Sequence, residues 1–152
     1  MKTTVKYSLL TCFGIAMGHL EAVVVVYIRK ILGIGHVVDQ TTSLIAQVPA
    51  DWVRIEISRE VSTIVMLVTL ALLIEKNTWR RLSVFLWVFA VWDIFYYVSL
   101  KILTGWPKSL ATLDCLFLIP VPWIAPVWVP LLVMTIFLIA SIWILRKKPG
   151  PE

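Results

Sequence analysis

Charged side chains are scarce in this chain, and their scarcity indicates the class of protein. Only 15% of the 152 residues are charged, whereas 60% are hydrophobic and the mean hydropathy is +0.91. Soluble domains carry about 25% charged residues, so this composition is that of a membrane protein with little room for a soluble domain. The net charge of +5 does not indicate nucleic-acid binding, because the lysines and arginines lie at the ends of apolar runs, where topology signals are found.

Cysteine and histidine are also rare, with two of each. Cys12 falls early in the first apolar run and Cys115 after the third, so we expect them near opposite membrane faces, too far apart for a disulfide. Their spacing relative to the histidines does not match a zinc site. A bis-histidine haem would need both His19 and His36, and because His36 falls in a predicted loop we expect no haem.

Four long apolar runs fill most of the chain and predict four transmembrane helices. Each run has about 22–26 residues, which at 1.5 Å per residue is enough to cross a hydrocarbon core of about 30 Å. Helices are expected because they satisfy their backbone hydrogen bonds internally. We predict an all-α four-transmembrane-helix bundle that forms one integral membrane domain over residues 1–152. Its helices cover about residues 7–32, 52–74, 82–103 and 122–145.

Basic residues at the ends of these runs predict the orientation of the bundle. Eight lysines and arginines fall on the side of both termini, and four fall on the opposite side. The positive-inside rule then puts both termini in the cytoplasm. The eight are Lys2, Lys6, Lys76, Arg80, Arg81, Arg146, Lys147 and Lys148, and the four are Arg29, Lys30, Arg54 and Lys108.

The connection before the last helix is rich in proline and is predicted to lie outside the cytoplasm. We expect a short interfacial helix that begins at Ser109 and ends at Pro120. Pro122 suits the first turn of the last helix, whereas Pro126 and Pro130 would fall inside that helix and kink it.

Ionisable residues interrupt three of the predicted helices at similar depths. Glu21 lies past the midpoint of the first helix, and Glu56, Arg59 and Glu60 lie in the first turns of the second. Asp93 lies near the middle of the third. Because such residues are costly in a bilayer and usually face the bundle interior, we predict that they meet in a buried acidic site in the outer half of the membrane.

Helical phase adds further residues to this predicted site. The two glutamates of the second helix are four residues apart and share a face. On the third helix Tyr96, Tyr97 and Lys101 share the face of Asp93, and Asp114 belongs to the outer connection above them.

The first helix carries a stripe of small residues that ends at the predicted site. Gly14, Gly18 and Glu21 share one face, and the two glycines allow another helix to approach closely. His19 is about 200° around the helix from Glu21. We therefore favour Glu21 as the member of the site and retain His19 as a weaker candidate.

Three interpretations of the site stay open on the sequence alone. In the first, the charges form a structural ion-pair network, with Arg59 bridging the glutamates and Asp93 bonding a tyrosine or Lys101. In the second, the carboxylates bind a divalent metal ion, as in di-metal helical bundles, although Arg59 would repel a cation. The metal ligands would be Glu21, Glu56, Glu60, Asp93 and His19.

The third interpretation is a proton- or substrate-handling site that opens outward. The side chains for a small polar ligand would be Arg59, Tyr96, Tyr97, Lys101 and Asp114. No residue is assigned a catalytic role. The alternative to a ligand-binding protein is an accessory subunit of a homo-oligomer or membrane complex, whose buried charges only fix helix packing within the lipid bilayer.

Two stretches of the sequence resemble a family of small bacterial integral membrane proteins. They are GHLEAVVVVYIR at residues 18–29 and WDIFYYVSLKILTGWPKSLATLDCLFLIPVPWIAPVWVP at residues 92–130. The resemblance covers the first, third and fourth predicted helices and the second outer connection. It implies a four-helix protein of a bacterial inner membrane, and it implies no activity.

Overall fold

Four helices and a two-stranded hairpin make up the part of the chain that the computed structural model describes, which is residues 2–31, 49–119 and 121–147. The predicted loop that contains His36 lies outside these residues. The elements in chain order are α1 (Thr3–Ile31), α2 (Ala50–Ile74), α3 (Thr78–Thr104), β1 (Leu113–Phe117), β2 (Trp123–Pro126) and α4 (Trp128–Lys147).

All four helices are long and apolar enough to cross a membrane. Many large hydrophobic side chains point away from the bundle, including Leu73 at 80% exposure and Ile102 at 79%. Such exposure is expected where lipid replaces water as the surrounding solvent. The prediction of an all-α bundle of four membrane-spanning helices is confirmed, and the chain has the architecture of a multi-pass membrane protein.

The helix α3 is the centre of the bundle. It contacts α1, α2 and α4, and it buries a larger share of its length than any of them. Val84, Val88 and Leu100 on α3 are almost completely buried. The α1 and α2 helices both pack on α3 but have few contacts with each other. This arrangement leaves a space between α1 and α2 along one side of α3.

Two glycines allow α1 to approach the backbone of α3. A Cβ atom on Gly18 would lie 2.4 Å from the carbonyl oxygen of Trp92 and 2.8 Å from the amide nitrogen of Tyr96. A Cβ atom on Gly14 would lie 2.9 Å from a methyl group of Val91. The predicted close contact at these glycines is therefore confirmed, and it brings Glu21, one turn further along α1, against α3.

A buried carboxylate fixes the end of the bundle at which α1 and α3 begin. Glu75 follows α2, and its side chain pairs with Lys6 Nζ at 2.6 Å and with Arg80 Nε at 3.2 Å. Burial raises the pKa of Glu75, but the hydrogen bonds from Lys6 and Arg80 outweigh burial and hold the pKa below its usual range. Asn77 caps α3 by accepting hydrogen bonds from the amides of Trp79 and Arg80.

The connection before the last helix differs from the prediction. No interfacial helix begins at Ser109; instead β1 pairs with β2 in an antiparallel hairpin, with Leu113 opposite Pro126. The last helix begins at Trp128 and not at Pro122. Pro130 consequently lies in its first turn, where proline is well tolerated, and Pro126 ends a strand, so the predicted kinks are wrong. The hairpin is as apolar as a helix, which is why hydropathy did not distinguish them.

The close approach at Gly18 gives a prediction about stability. Gly18→Ala would force α1 away from the backbone of α3, so we expect it to destabilise the folded protein by about 1–3 kcal/mol or more. Gly14→Ala should have a smaller effect, because the Val91 side chain can move whereas a backbone carbonyl cannot. Thermal unfolding in detergent measures both variants, and equal unfolding temperatures for Gly18→Ala and the wild type would contradict the packing described.

Candidate functional site

A cavity of about 570 Å³ lies in the space between α1 and α2, with α3 and β1 as its other walls. It is the point at which the predicted site residues converge. Of the ten predicted residues, eight line it: Glu21, Glu56, Arg59, Glu60, Asp93, Tyr96, Tyr97 and Asp114.

Arg59 connects the two helices on either side of the cavity. Its Nη1 atom lies 2.7 Å from a carboxylate oxygen of Glu21 on α1, and its Nη2 atom lies 2.6 Å from Glu56 on α2. The second oxygen of Glu21 accepts a hydrogen bond from the indole N–H of Trp92 on α3. Both oxygens of Glu21 are therefore paired, one with α2 and the other with α3. The contacts of Arg59 with Glu21 and Glu56 are the predicted bridge.

Two further carboxylates attach the hairpin to the bundle. Both side-chain oxygens of Glu60 accept a hydrogen bond from the backbone N–H of Leu118, at 3.1 Å each. The Tyr97 hydroxyl donates to Oδ2 of Asp114 at 2.9 Å. Burial raises the pKa of Asp114 above its usual range, while the hydrogen bond from Tyr97 acts in the opposite direction. The hairpin wall is therefore held by α2 at one point and by α3 at another.

Asp93 differs from the other acidic residues of the cavity. Its Oδ2 atom is buried, and among the described residues it has no hydrogen-bond partner. The predicted bond to a tyrosine or to Lys101 is wrong, because Tyr97 donates to Asp114 and Lys101 donates to backbone carbonyls. A buried carboxylate oxygen without a partner is destabilising by several kcal/mol at least, so Asp93 is the acceptor that this cavity leaves free.

Two of the predicted residues lie away from the cavity. His19 faces the other side of α1, as the angle of about 200° indicated, and its Nδ1 atom lies 3.3 Å from Oγ of Ser99. Lys101 ends α3 by donating to the carbonyl oxygens of Gly105 and Pro107 at 3.0 and 2.7 Å. Both side chains thus make structural contacts instead of lining the cavity.

The sequence analysis did not assign three residues that line the cavity. The sequence analysis treats Arg29 only as a topology signal at the end of a helix. In the structure its guanidinium group lies 4.5 Å from the centre of the Trp106 ring, and the residue lines the cavity. Trp92 follows the same helical face as the predicted group. Cys115 lies beside Asp114 on β1, and burial raises the pKa of its thiol to about 11. Only the hairpin, which was not predicted, brings Cys115 to this position.

The metal interpretation receives no support from this geometry. In the described ranges, no group of three or more His, Cys, Asp or Glu side chains is arranged to hold a metal ion. The physical reason is that the acidic oxygens are already used by other groups or lie apart. Glu21 and Glu56 are occupied by Arg59, Glu60 binds the hairpin backbone, Asp93 is alone, and His19 lies elsewhere.

The charges that line the cavity are predominantly negative. Five carboxyl groups face two guanidinium groups, so the carboxyl groups outnumber the cations by three. The carboxyl groups belong to Glu21, Glu56, Glu60, Asp93 and Asp114, and the guanidinium groups to Arg29 and Arg59. The arrangement favours a bound group that is positively charged or that donates hydrogen bonds.

The Arg59 bridge gives a prediction that separates buried from exposed ion pairs. Arg59→Met leaves Glu21 and Glu56 without their cation, and we expect it to destabilise the protein by about 3 kcal/mol. Arg54→Met on the same helix is the matched control, because Arg54 and Asp51 are 3.7 Å apart and more than three-quarters exposed, with 80% and 86% of their side chains accessible. Equal unfolding temperatures for the two variants would contradict a structural role for the bridge.

The attachment of the hairpin by Glu60 gives a second prediction. In a Cys12→Ser background, Cys115 should react slowly with an alkylating reagent at pH 8, because its thiol is partly buried and has a pKa of about 11. Glu60→Leu removes the acceptor for the Leu118 amide, so the rate should rise several-fold. Glu60→Gln keeps an oxygen that can accept this hydrogen bond and should react like the parent. Unchanged rates in Glu60→Leu would contradict the attachment.

Comparisons with protein-family models, with curated proteins and with solved structures gave no match for this chain. The resemblance to small bacterial membrane proteins therefore stays a prediction. Any assignment of function depends on the cavity itself.

Proposed function

We propose that this protein binds a small organic molecule inside the membrane, in the cavity between α1, α2, α3 and β1, by accepting a hydrogen bond from it at Asp93. The observation that carries the proposal is the buried Asp93 oxygen, which borders the cavity and has no partner in the described part of the chain. A carboxylate isolated in a low-dielectric interior is costly. A bound donor would offset that cost, so the free acceptor indicates a ligand.

The size of the cavity supports a molecule rather than a single ion. Its volume of about 570 Å³ lies within the range of about 300–1,000 Å³ that is usual for small-molecule sites. A water molecule occupies about 30 Å³ in the liquid, so a single hydrated ion would leave much of this space unfilled.

The walls of the cavity have the composition of a ligand site. Apolar side chains from α1, α2 and β1 cover most of the surface, and a smaller polar part is contributed by all four elements that form the walls. Ligand sites usually combine a mainly apolar lining with a few polar groups that fix orientation. The apolar residues include Val24, Val25, Ile28, Val53 and Phe117.

An accessory role is the second candidate, and a separate observation favours it. Arg59, Glu60 and Asp114 all have contacts that join one element to another, as expected for charges that fix helix packing. This role accounts for every charge that has a partner. It does not account for Asp93, whose buried Oδ2 atom has no hydrogen-bond partner among the described residues.

We also propose that the hairpin end of the bundle faces away from the cytoplasm of a bacterial inner membrane. The basic residues of the opposite end support this orientation, since Lys6, Arg80 and Arg81 lie there together with the last turn of α4. In this orientation the cavity occupies the outer half of the bilayer.

The proposal predicts a bound molecule that depends on Asp93. Native mass spectrometry of the protein purified from membranes should show an adduct of defined mass, which organic extraction releases. Asp93→Asn should lose the adduct and unfold at the same temperature as the wild type or higher, because it removes an unpaired buried charge.

Asp51→Asn is the control for this experiment, because its carboxylate lies on α2 but is exposed and outside the cavity. It should retain the adduct. The absence of an adduct from the wild type, or an adduct that persists unchanged in Asp93→Asn, would contradict the proposed function and favour the accessory role.

A further inference from the structure

We infer that the ligand is an amphiphile with an ammonium group, which lies against Asp93 while the apolar part of the molecule lies between α1 and α2. This inference rests on the proposed function and specifies the class of molecule. Its evidence comes from three separate features of the cavity: the balance of charge, the aromatic residues that line it together with Asp93, and the apolar gap between two helices.

The balance of charge favours a cation. The guanidinium group of Arg59 is occupied by Glu21 and Glu56, and that of Arg29 lies on the Trp106 ring. Glu60 accepts from an amide and Asp114 from a hydroxyl, so in the described residues neither carboxylate forms a salt bridge, although Arg59 and Arg29 act on them at longer range. An anionic group near Asp93 would meet more carboxylates than guanidinium groups among the described lining residues, whereas an ammonium group would reduce the mutual repulsion of the carboxylates.

Three aromatic residues of α3 line the cavity together with Asp93. Trp92 precedes Asp93 in α3, and Tyr96 and Tyr97 lie one turn further on; all three line the cavity. The ring centres of the two tyrosines are 5.0 Å apart and the ring planes are at 71°, so the edge of one ring contacts the face of the other. Aromatic faces together with a carboxylate are the chemistry by which proteins recognise ammonium groups. These rings also distinguish an ammonium ion from a hydrated metal ion, which would need more oxygen ligands.

The gap between α1 and α2 favours an apolar body on the same molecule. These helices have few contacts with each other, and Val24, Val25 and Ile28 on one side face Val53 and Ile55 on the other across the cavity. Both sets belong to membrane-spanning helices. A ligand with an alkyl chain would replace lipid or void in this gap and bury its chain against these side chains.

An ammonium amphiphile has two sources that share this chemistry. One is the ethanolamine headgroup of a phospholipid, and the other is a free long-chain amine. Both carry a positively charged, hydrogen-bond-donating nitrogen and an apolar chain, which a phosphate group separates in the phospholipid, so the same site would recognise the ammonium group of either.

The inference is tested with three probes of equal chain length: octylammonium, octanol and octanoate. Binding to the wild type in maltoside micelles is measured by the rise in unfolding temperature over a concentration series. Octylammonium should bind at least tenfold more tightly than octanol, and octanoate should not bind. Asp93→Asn should lose this preference, and Asp51→Asn should keep it.

Lipid analysis of the protein extracted in polymer discs identifies the source. Enrichment of phosphatidylethanolamine over the bulk membrane in the wild type and in Asp51→Asn, but not in Asp93→Asn, would assign the site to the lipid headgroup. Octylammonium binding that depends on Asp93, without such enrichment, would assign it to a free amine.

Two results would overturn the inference. One is equal affinity for octylammonium and octanol, and the other is octylammonium binding that Asp93→Asn leaves unchanged. The proposed function would survive either result if the mass-spectrometric adduct is still lost in Asp93→Asn. The ligand would then be a neutral hydrogen-bond donor. If neither the Asp93-dependent adduct nor the preference for octylammonium is observed, the proposed function is contradicted as well.

Discussion

The ion pairs of Arg59 are the interaction on which the architecture of the cavity depends. The α1 and α2 helices pack on α3 but have few contacts with each other. Arg59 lies on α2 and joins it to α1 through Glu21, while Glu56 on α2 holds the other side of the guanidinium group. A direct apolar contact between the two helices would close this space. The ion pair instead spans it, and separating the two charges in a low-dielectric medium would be costly.

The acidic residues divide into two groups by their contacts. Glu21, Glu60 and Asp114 each accept a hydrogen bond that joins separate elements, so their charges contribute to the fold. Asp93 lies on the most buried helix, and its buried Oδ2 atom has no hydrogen-bond partner in the part of the chain that the structure describes. The cavity therefore combines carboxylates that join elements of the fold with one buried carboxylate that destabilises it, a pattern that fits the proposed binding role.

Eight of the ten residues predicted from depth and helical phase line the cavity, because a straight apolar helix fixes both quantities. Glu21 and His19 were separated correctly by their angle around α1. The partners of the side chains were not predictable, since they depend on tertiary neighbours: Asp93 was expected to bond Lys101, which instead binds the carbonyls at the end of its own helix. The hairpin was missed because its residues are as apolar as a helix, and only its hydrogen bonding distinguishes it.

The bridge between α1 and α2 has a consequence for biogenesis. Because α1 leaves the ribosome before α2, Glu21 reaches the bilayer before the arginine that neutralises it has been synthesised. A lone carboxylate within an apolar segment disfavours stable insertion. Partition of α1 into lipid should consequently be delayed until α2 and Trp92 of α3 arrive, so that the first three helices enter the membrane as one cooperative unit and not one at a time.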